Sequence, residues 1–262
     1  RKGGFGVRIA IVTGASSGLG REFVRLLASR GNLDAIWVVA RREDRLHELQ
    51  KSVSLPVRPA AMDLTDRESA ARLKKLLEEE KPDVRVLVNA AGFGKMGSYA
   101  DIPERDNRGM IDLNCRALVD VTLAVLPYMK RGARILEICS SSAFQPLPGL
   151  NVYAASKAFV LHYSRALRWE LFPRGIHVTA VCPYWIRDTE FIPISKRTKD
   201  GAAVKHFPLA SRARSVAAHA LTDSGLNLPV STPGIVCSVQ RILVKFIPHE
   251  ITTLFWEGIR RI

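Results

Sequence analysis

The feature that most constrains the fold is a glycine-rich loop directly after a short apolar run. The run, residues 8–12, reads Arg-Ile-Ala-Ile-Val, and the loop is Thr13-Gly14-Ala15-Ser16-Ser17-Gly18-Leu19-Gly20. A helical pattern of apolar residues follows and ends at Gly31. Glycines let a backbone approach phosphate closely, and the start of a helix presents unpaired N–H groups to an anion. This order of strand, loop and helix predicts a dinucleotide-binding unit; the alternative is a purely structural turn.

The end of the next strand carries two arginines. Residues 36–40 form an apolar run that is followed by Arg41 and Arg42. In dinucleotide-binding folds this strand tip meets the adenosine ribose, where an acid suits a free 2′-hydroxyl and an arginine suits a 2′-phosphate. Two arginines without an acid favour NADP over NAD. The alternative is that both are exposed residues opening the helix that begins near Glu43.

Strands and helices continue to alternate through the middle of the chain. The run 57–62 precedes Asp63-Leu64 and a charged helix over 67–80, and the run 84–88 precedes Asn89-Ala90-Ala91-Gly92. Asp63 either reaches the adenine or simply ends its strand, and the small residues after 88 leave room for a flat ring or a ribose. The alternation predicts an α/β fold with a parallel sheet.

Polar residues also occur at two unexpected places in the next α/β unit. Asn114 lies inside a helical pattern over about 104–130, where a surface position is usual and an internal one requires hydrogen-bond partners. The following apolar run, 133–139, is closed by Ser140-Ser141-Ser142. Because ligands gather at the carboxyl ends of such strands, one of these serines is a candidate to bond a substrate oxygen. The alternative is an ordinary polar loop.

Tyr153 and Lys157 stand four residues apart in the next helical pattern. Their side chains therefore share one face of that helix. A nearby positive charge stabilises a phenolate, which predicts a lowered pKa for Tyr153 and a usable acid or base near neutral pH. The alternative is an amphipathic helix with one aromatic residue against the core.

Size and composition indicate one domain over residues 1–262, since the chain is 47% hydrophobic. No run of eighteen apolar residues occurs, and the opening Arg1-Lys2-Gly3-Gly4 does not resemble a signal peptide. The four cysteines lack metal-ligand spacing. We therefore expect free thiols, no metal and a cytoplasmic location.

The chain is strongly basic, with 39 Lys and Arg against 25 Asp and Glu, a net charge of +14. Nucleic acid, an anionic membrane or a polyanionic small molecule are the partners that such a charge suits, and a solvated surface is the plain alternative. The basic residues are spread along the chain rather than clustered with aromatics, which argues against specific nucleic-acid binding.

Two segments in the last third lack a match to the repeating β-α pattern. Residues 183–214 have no sustained period and are typical of a lid over a substrate site. Residues 234–262 form a helical extension with a basic amphipathic pattern. This extension walls a lipophilic pocket, packs on another subunit, lies on a membrane surface or packs on its own domain.

With these motifs in place, residues 8 to about 192 resemble the short-chain dehydrogenase/reductase family. The glycine loop, Asn89-Ala90-Ala91-Gly92 and Tyr153-x-x-x-Lys157 fall in the family's order, and Asn114 is similar in position to its helix asparagine. The family's serine stands thirteen residues before the tyrosine, which selects Ser140, with Ser141 as a close rival. Two departures are Ala90 in place of asparagine and the bulky stretch after Pro183, where Thr189 is one place late.

The resemblance implies a Rossmann-type, doubly wound, seven-stranded parallel sheet in the order 3-2-1-4-5-6-7 with helices on both faces. It implies an NADP(H)-dependent oxidoreductase that interconverts a carbonyl and a secondary alcohol on a small substrate, as a homodimer or homotetramer, and the apolar, basic C-terminal stretch favours a lipophilic one. Its catalytic residues would be Asn114, Ser140, Tyr153 and Lys157. Its cofactor contacts would be Gly14, Ser16, Ser17, Gly18, Leu19, Gly20, Arg41, Arg42, Asp63, Leu64, Asn89, Ala90, Gly92, Tyr153, Lys157, Pro183 and Ile186. The alternative function is an NADP(H) sensor without turnover.

Overall fold

Strands and helices alternate along the structure, a computed structural model that describes residues 6–199 and 203–261. The ends of the predicted 1–262 domain and positions 200–202 of the predicted lid lie outside the described residues. The strands are β1 Arg8–Thr13, β2 Ala35–Ala40, β3 Val57–Ala61, β4 Asp83–Asn89, β5 Arg134–Ile138, β6 His177–Val181 and β7 Val230–Ser231. The helices are α1 Gly18–Ala28, α2 Glu43–Lys51, α3 Glu68–Glu80, α4 Glu104–Ile111, α5 Ala117–Val125, α6 Asn151–Leu171, α7 Phe191–Ser195, α8 Ala213–Gly225, α9 Ile235–Leu243 and α10 His249–Arg261.

The strands form one sheet whose order is β3-β2-β1-β4-β5-β6-β7, and every neighbouring pair is parallel. This confirms the predicted doubly wound α/β fold. The sheet order reverses beside β1, where β2 and β4 lie on opposite sides of the same strand. In open parallel sheets this switch point and the carboxyl ends of the strands form the binding crevice.

The core lies on both faces of the sheet, because successive residues of a strand point to opposite sides. Ile9 and Ile11 of β1 pack with residues of α3, α5 and α6, whereas Ala10 and Val12 pack with residues of α1, α2 and α8. The strand residues between these helices are apolar on both faces, as expected for a covered parallel sheet. Helices on both sides thereby leave the carboxyl edge of the sheet as the place for a site.

The predicted helix over 104–130 differs from the structure in its middle and at its end. A π-helical segment, Asp112–Arg116, separates α4 from α5, and α5 ends at Val125 before a short 3-10 turn that contains Pro127. Proline lacks the N–H that would continue the helix. The π-helical segment contains Asn114, which places this residue at an irregular turn of the kind that often occurs at functional sites.

The segments flanking the sheet at its carboxyl end are short helices and loops. Within 183–214, the described residues between α7 and the start of α8 at Ala213 contain no helix, and Ile186 forms an isolated bridge with Ser211. The C-terminal stretch forms two helices, α9 and α10, with Pro248 between them. In the described part of the chain, no helix is both long and apolar enough to span a bilayer.

Candidate active site

A cavity of about 1240 Å³ follows the carboxyl edge of the sheet from the glycine loop to α9 and α10. Its lining includes every residue predicted to bind cofactor except Asn89, and three of the four predicted catalytic residues. Those three are Ser140, Tyr153 and Lys157. Asn89 and Asn114 lie behind the cavity wall and are buried. The structure thus brings the sequence-predicted residues to one place, with these two behind the lining.

The glycine loop has the close backbone packing that the sequence predicted. Gly14 has a φ of +67°, and a Cβ on it would lie 2.7 Å from the carbonyl oxygen of Ala90. Gly18 has a φ of +51°, also in the left-handed region that favours glycine. The loop leads directly into α1, which begins at Gly18, and the first N–H groups of a helix have no partner within it. These features fit the pyrophosphate of a dinucleotide.

The two arginines after β2 have different surroundings. Arg42 donates from Nη2 to the hydroxyls of Ser17 at 2.8 Å and Ser16 at 3.1 Å. Its Nη1 donates to Glu190 Oε2 at 2.8 Å. Arg41 is largely exposed, with its Nη1 3.8 Å from Asp63 Oδ2. Ser16, Ser17 and Arg42 therefore form one polar corner of the cavity, which we call the arginine corner.

Tyr153 and Lys157 both face the cavity from α6 and are both buried. Lys157 Nζ donates to the carbonyl of Ile138 at 2.8 Å and lies 5.9 Å from the centre of the Tyr153 ring. Burial raises the pKa of Tyr153 above its ordinary value, and the hydrogen bond with Ser140 offsets only part of that rise. Burial also lowers the pKa of Lys157. The predicted lowering of the Tyr153 pKa by Lys157 is therefore wrong for this geometry, because burial raises that pKa and Lys157 is not among the groups that shift it.

Among the serines, Ser140 is the one that contacts the tyrosine. Its hydroxyl accepts a bond from the Ser142 backbone N–H at 3.1 Å, and its side chain acts on the Tyr153 phenol, lowering the pKa of that group against the effect of burial. The Ser141 backbone N–H donates to the carbonyl of Pro183 at 2.9 Å, which fixes the loop. This geometry favours Ser140 over Ser141 for any role beside the tyrosine.

Asn114 holds the backbone that follows β4. Its Nδ2 donates to the Phe93 carbonyl at 2.9 Å and to Ser156 Oγ at 3.0 Å, while its Oδ1 accepts from the Phe93 N–H at 3.1 Å. A Cβ on Gly92 would lie 3.0 Å from Asn114 Oδ1 and 3.5 Å from Lys157 Nζ. Asn114 is thus an internal residue with partners, and it connects the π-helical segment to the turn beside Lys157.

Asn89 belongs to a buried polar cluster below the site. Its Nδ2 donates to Thr122 Oγ1 at 2.8 Å and lies 3.3 Å from Glu137 Oε1. Thr122 Oγ1 also contacts Glu137 Oε1 at 3.0 Å. Burial raises the pKa of Glu137 to about 7, although the hydrogen bonds from Asn89 and Thr122 act to lower it. The predicted contact between Asn89 and a cofactor is therefore not a direct side-chain contact in this arrangement.

Aromatic residues of the 183–214 segment cover the tyrosine. The ring of Phe191 lies 5.3 Å from that of Tyr153, centre to centre, and Trp185 packs between Phe191 and Phe207. Backbone bonds between Trp185, Arg187 and Ser211 hold this segment together. A Cβ on Gly94 would lie 2.7 Å from the Tyr153 ring and 2.8 Å from that of Phe191. The glycine is what lets both rings approach the same backbone.

The far end of the cavity is apolar and is formed by the C-terminal helices. Trp256 Nε1 donates to the Pro148 carbonyl at 2.9 Å, and Gln145 Nε2 donates to the Thr252 carbonyl at 3.3 Å, which ties α10 to the loop before α6. The apolar lining from these helices and that loop comprises Leu147, Leu150, Ile235, Val236, Val239, Leu243, Val244, Ile247, Ile251, Phe255, Trp256 and Ile259.

Several site residues were missed by the sequence reasoning. Glu190 and Arg45 join the arginine corner, Phe191 covers Tyr153, and Glu137 lies buried below the site. Arg45 could have been found, because it stands one helical turn from Arg42. Glu190 gave no local signal, since its partners are 148 and 145 residues away. Within the residues described, no group of His, Cys, Asp and Glu has the arrangement of a metal site.

The doubly wound sheet, the glycine loop and the serine, tyrosine and lysine on one cavity define an oxidoreductase of the dinucleotide-binding class. The family model described as short chain dehydrogenase matches residues 8–199. The chain belongs to the short-chain dehydrogenase family.

Similar proteins have been described in bacteria and in humans. The chain is 39% identical over 189 residues to sulfoacetaldehyde reductase 2 of Chromohalobacter salexigens, covering 70% of this chain and 74% of that protein. It is 31% identical over 240 residues to the very-long-chain 3-oxoacyl-CoA reductase of Homo sapiens, covering 84% and 75%. A short-chain dehydrogenase from Sphingobium yanoikuyae in complex with NADPH superposes with a TM-score of 0.76 at 28% identity, covering 92% and 96%.

Proposed function

We propose that the protein is an NADP(H)-dependent oxidoreductase that interconverts a carbonyl and a secondary alcohol on a lipophilic substrate. The observation that carries the proposal is that Ser140, Tyr153 and Lys157 share one cavity with the arginine corner and an apolar wall. The preference for NADP rests on Arg42 and its bonds to Ser16 and Ser17, which form a cationic corner suited to a 2′-phosphate. The NADPH complex of the Sphingobium relative is consistent with it.

The cofactor contacts follow from the cavity lining. Gly14, Gly18 and the start of α1 would hold the pyrophosphate, and Gly92 and Ala90 would leave room for the nicotinamide ribose. Pro183 and Ile186 line the cavity beside the tyrosine, where the backbone of Ile186 would meet the carboxamide. When bound, NADPH supplies the hydride for reduction of the carbonyl carbon.

In this proposal Tyr153 is the proton donor to the carbonyl oxygen. Its raised pKa keeps the phenol protonated at neutral pH, which suits the reductive direction. The Ser140 hydroxyl, whose side chain lowers the pKa of the phenol, would orient the same oxygen. Lys157, held by the Ile138 carbonyl, would stabilise the phenolate that remains after the proton has left. Asn114 would be a positioning residue, because it fixes the turn beside Lys157 through Phe93.

The substrate class follows from the wall formed by α9 and α10. Apolar side chains such as Val239, Leu243 and Phe255 line this end, and a cavity of about 1240 Å³ is larger than a typical single small-molecule site. A long or bulky apolar ketone fits such a wall better than a short polar aldehyde. The human relative, whose name specifies a very-long-chain 3-oxoacyl substrate, supports this choice.

The test is consumption of NADPH with a series of ketones and 3-oxoacyl thioesters of increasing chain length. We expect turnover that improves with chain length, and a loss of about 100-fold or more in kcat for Tyr153→Phe. Tyr163→Phe is the matched control, because Tyr163 lies on the same helix and outside the cavity lining. NADPH binding without turnover of any ketone would instead indicate the sensor, and full activity of Tyr153→Phe would refute the catalytic assignment.

A further inference from the structure

Three consecutive residues of the 183–214 segment contact three different parts of the site. Thr189 lies against the glycine loop, since a Cβ on Gly18 would be 3.3 Å from its Cβ. Glu190 bonds the arginine corner. Phe191 covers the Tyr153 ring. One short stretch of chain therefore contacts the glycine loop, the arginine corner and Tyr153, the proposed proton donor.

The Glu190 carboxylate shares its two oxygens between two guanidinium groups. Oε2 accepts from Arg42 Nη1 at 2.8 Å, and Oε1 accepts from Arg45 Nη1 at 2.5 Å. The bond from Arg45 has the largest effect and the bond from Arg42 the next largest, and together they lower the pKa of Glu190 to about 2. The carboxylate is therefore charged at every working pH. Both arginine side chains and the glutamate remain a third or more exposed. An anion in the cavity can therefore reach the same cations.

The other two guanidinium nitrogens of Arg42, Nε and Nη2, also donate hydrogen bonds. Its Nε and Nη2 face the hydroxyls of Ser16 and Ser17, so each of the three guanidinium nitrogens has a protein acceptor. These bonds use four of the five N–H groups, so a phosphate that binds Arg42 through two N–H groups must take at least one of them from these acceptors. Of these acceptors, the Glu190 carboxylate is the one that also repels the phosphate, because two neighbouring anions on one cation destabilise each other. A hydroxyl, by contrast, can turn and donate to phosphate.

We propose that Glu190 is a specificity-determining residue that occupies the 2′-phosphate corner as an internal anion and is displaced by NADP(H) but not by NAD(H). The proposal rests on the proposed function, since it needs a cofactor with a 2′-phosphate at Arg42. Displacement of Glu190 releases the first turn of α7, because Glu190 immediately precedes that helix. Binding of a 2′-phosphate at the arginine corner thereby moves Phe191, the residue that covers Tyr153.

The other end of α7 has its own anchor. Lys95 Nζ donates to the carbonyls of Ile194 at 3.3 Å and Arg197 at 3.2 Å, and the Met96 N–H donates to the Ser195 carbonyl at 2.9 Å. Release at Glu190 therefore frees the start of the helix while its end stays attached to the turn after β4. The movement is a pivot of a short segment rather than the loss of the whole cover.

The first experiment compares cofactor affinities by fluorescence titration for wild type, Glu190→Gln and Glu80→Gln. Glu80 pairs with Arg58 at 2.8 Å, so its variant also loses an ion-paired carboxylate, but one that does not line the cavity. We expect Glu190→Gln to bind NADPH about three- to tenfold more tightly, with NADH affinity unchanged, because one repulsive charge near the phosphate is removed. Glu80→Gln should alter neither affinity.

The second measurement follows the start of α7 by limited trypsin digestion, with cleavage after Arg187, on the freed side, compared with cleavage after Lys196 and Arg197, on the anchored side, by mass spectrometry. With cofactor at saturation, wild type should be cut at different rates in NADPH and in NADH, and Glu190→Gln at equal rates. Weaker NADPH binding by Glu190→Gln, or an equal change for both cofactors, overturns the proposal while leaving the proposed function intact. A wild type that binds no NADPH overturns both.

Discussion

Replacing Glu137 with glutamine should stabilise the protein above neutral pH. Glu137 is fully buried in β5; its Oε1 accepts from Asn89 and Thr122, while its Oε2 and the Asn89 Oδ1 have no hydrogen-bond partner among the described residues. Two buried acceptors without a donor favour a carboxyl group that keeps its proton. Burial accordingly raises the pKa of Glu137 from 4.5 to about 7.

The sign and size of the effect follow from this difference in pKa. Below pH 4.5 the carboxyl is protonated in both the folded and the unfolded chain, and its stabilising contribution is fully present. As the pH rises, the unfolded chain releases the proton first, so the free energy of unfolding falls until the folded carboxyl also ionises near pH 7. Each pH unit in that window is worth ~1.4 kcal/mol, which gives a total of about 3 kcal/mol. Glutamine does not titrate and avoids this loss.

The assay is urea unfolding of cofactor-free wild type and Glu137→Gln at several pH values between 4.5 and 8, followed by tryptophan fluorescence. The diagnostic quantity is the change with pH in the difference between the two unfolding free energies. We expect that difference to move by about 3 kcal/mol in favour of glutamine and then to level off. Glu80→Gln, an exposed carboxylate, serves as the control. Parallel pH curves for wild type and Glu137→Gln would refute the reasoning.

Three further predictions concern the cavity. Arg42→Ala should raise the Kd for NADPH by about 30- to 100-fold in fluorescence titrations and leave that for NADH nearly unchanged, since charge-assisted bonds to phosphate are lost; an equal loss for both cofactors would contradict it. Gly94→Ala should lower kcat at least about tenfold in a steady-state assay with little change in NADPH affinity, because its Cβ would lie 2.7 Å from the Tyr153 ring. Gly258→Ala, which has open space around the added Cβ, should leave kcat unchanged in the same assay. Val239→Trp should raise KM about tenfold for the longest ketones and not for short ones; a uniform change along the series would place the apolar tail of the substrate elsewhere.

The fold could be predicted from the sequence because its signals are local. Apolar runs marked β1, β2 and β4, and the glycine loop between β1 and α1 fixed the type of unit. The order of the strands, in contrast, came from resemblance, since pairing between β1 and β4 joins segments about 75 residues apart. The π-helical segment was missed because its apolar pattern does not differ enough from that of an α-helix to be read from the residues.

The candidate site was predictable in its residues but not in its electrostatics. The spacing of Tyr153 and Lys157 predicted that their side chains share one helix face, and both line the cavity, yet the spacing could not indicate that burial would raise the pKa of the tyrosine. That burial comes from Phe191 and other distant parts of the chain. Glu190 escaped prediction for the same reason, because an ion pair across 148 residues leaves no periodic trace in a sequence.

The π-helical segment Asp112–Arg116 has a consequence for how insertions and deletions act on this chain. A π turn holds one residue more than the α turn it replaces, and one residue corresponds to a rotation of about 100°. The bulge takes up this extra residue locally, so deleting a single residue within the segment would leave α4 and α5 as one continuous α-helix and remove the irregular turn that holds Asn114. The bonds of Asn114 to Phe93 and Ser156 would be lost although none of these three residues had been substituted. A one-residue deletion here would thus act on the candidate site even though every side chain that contacts Asn114 keeps its identity.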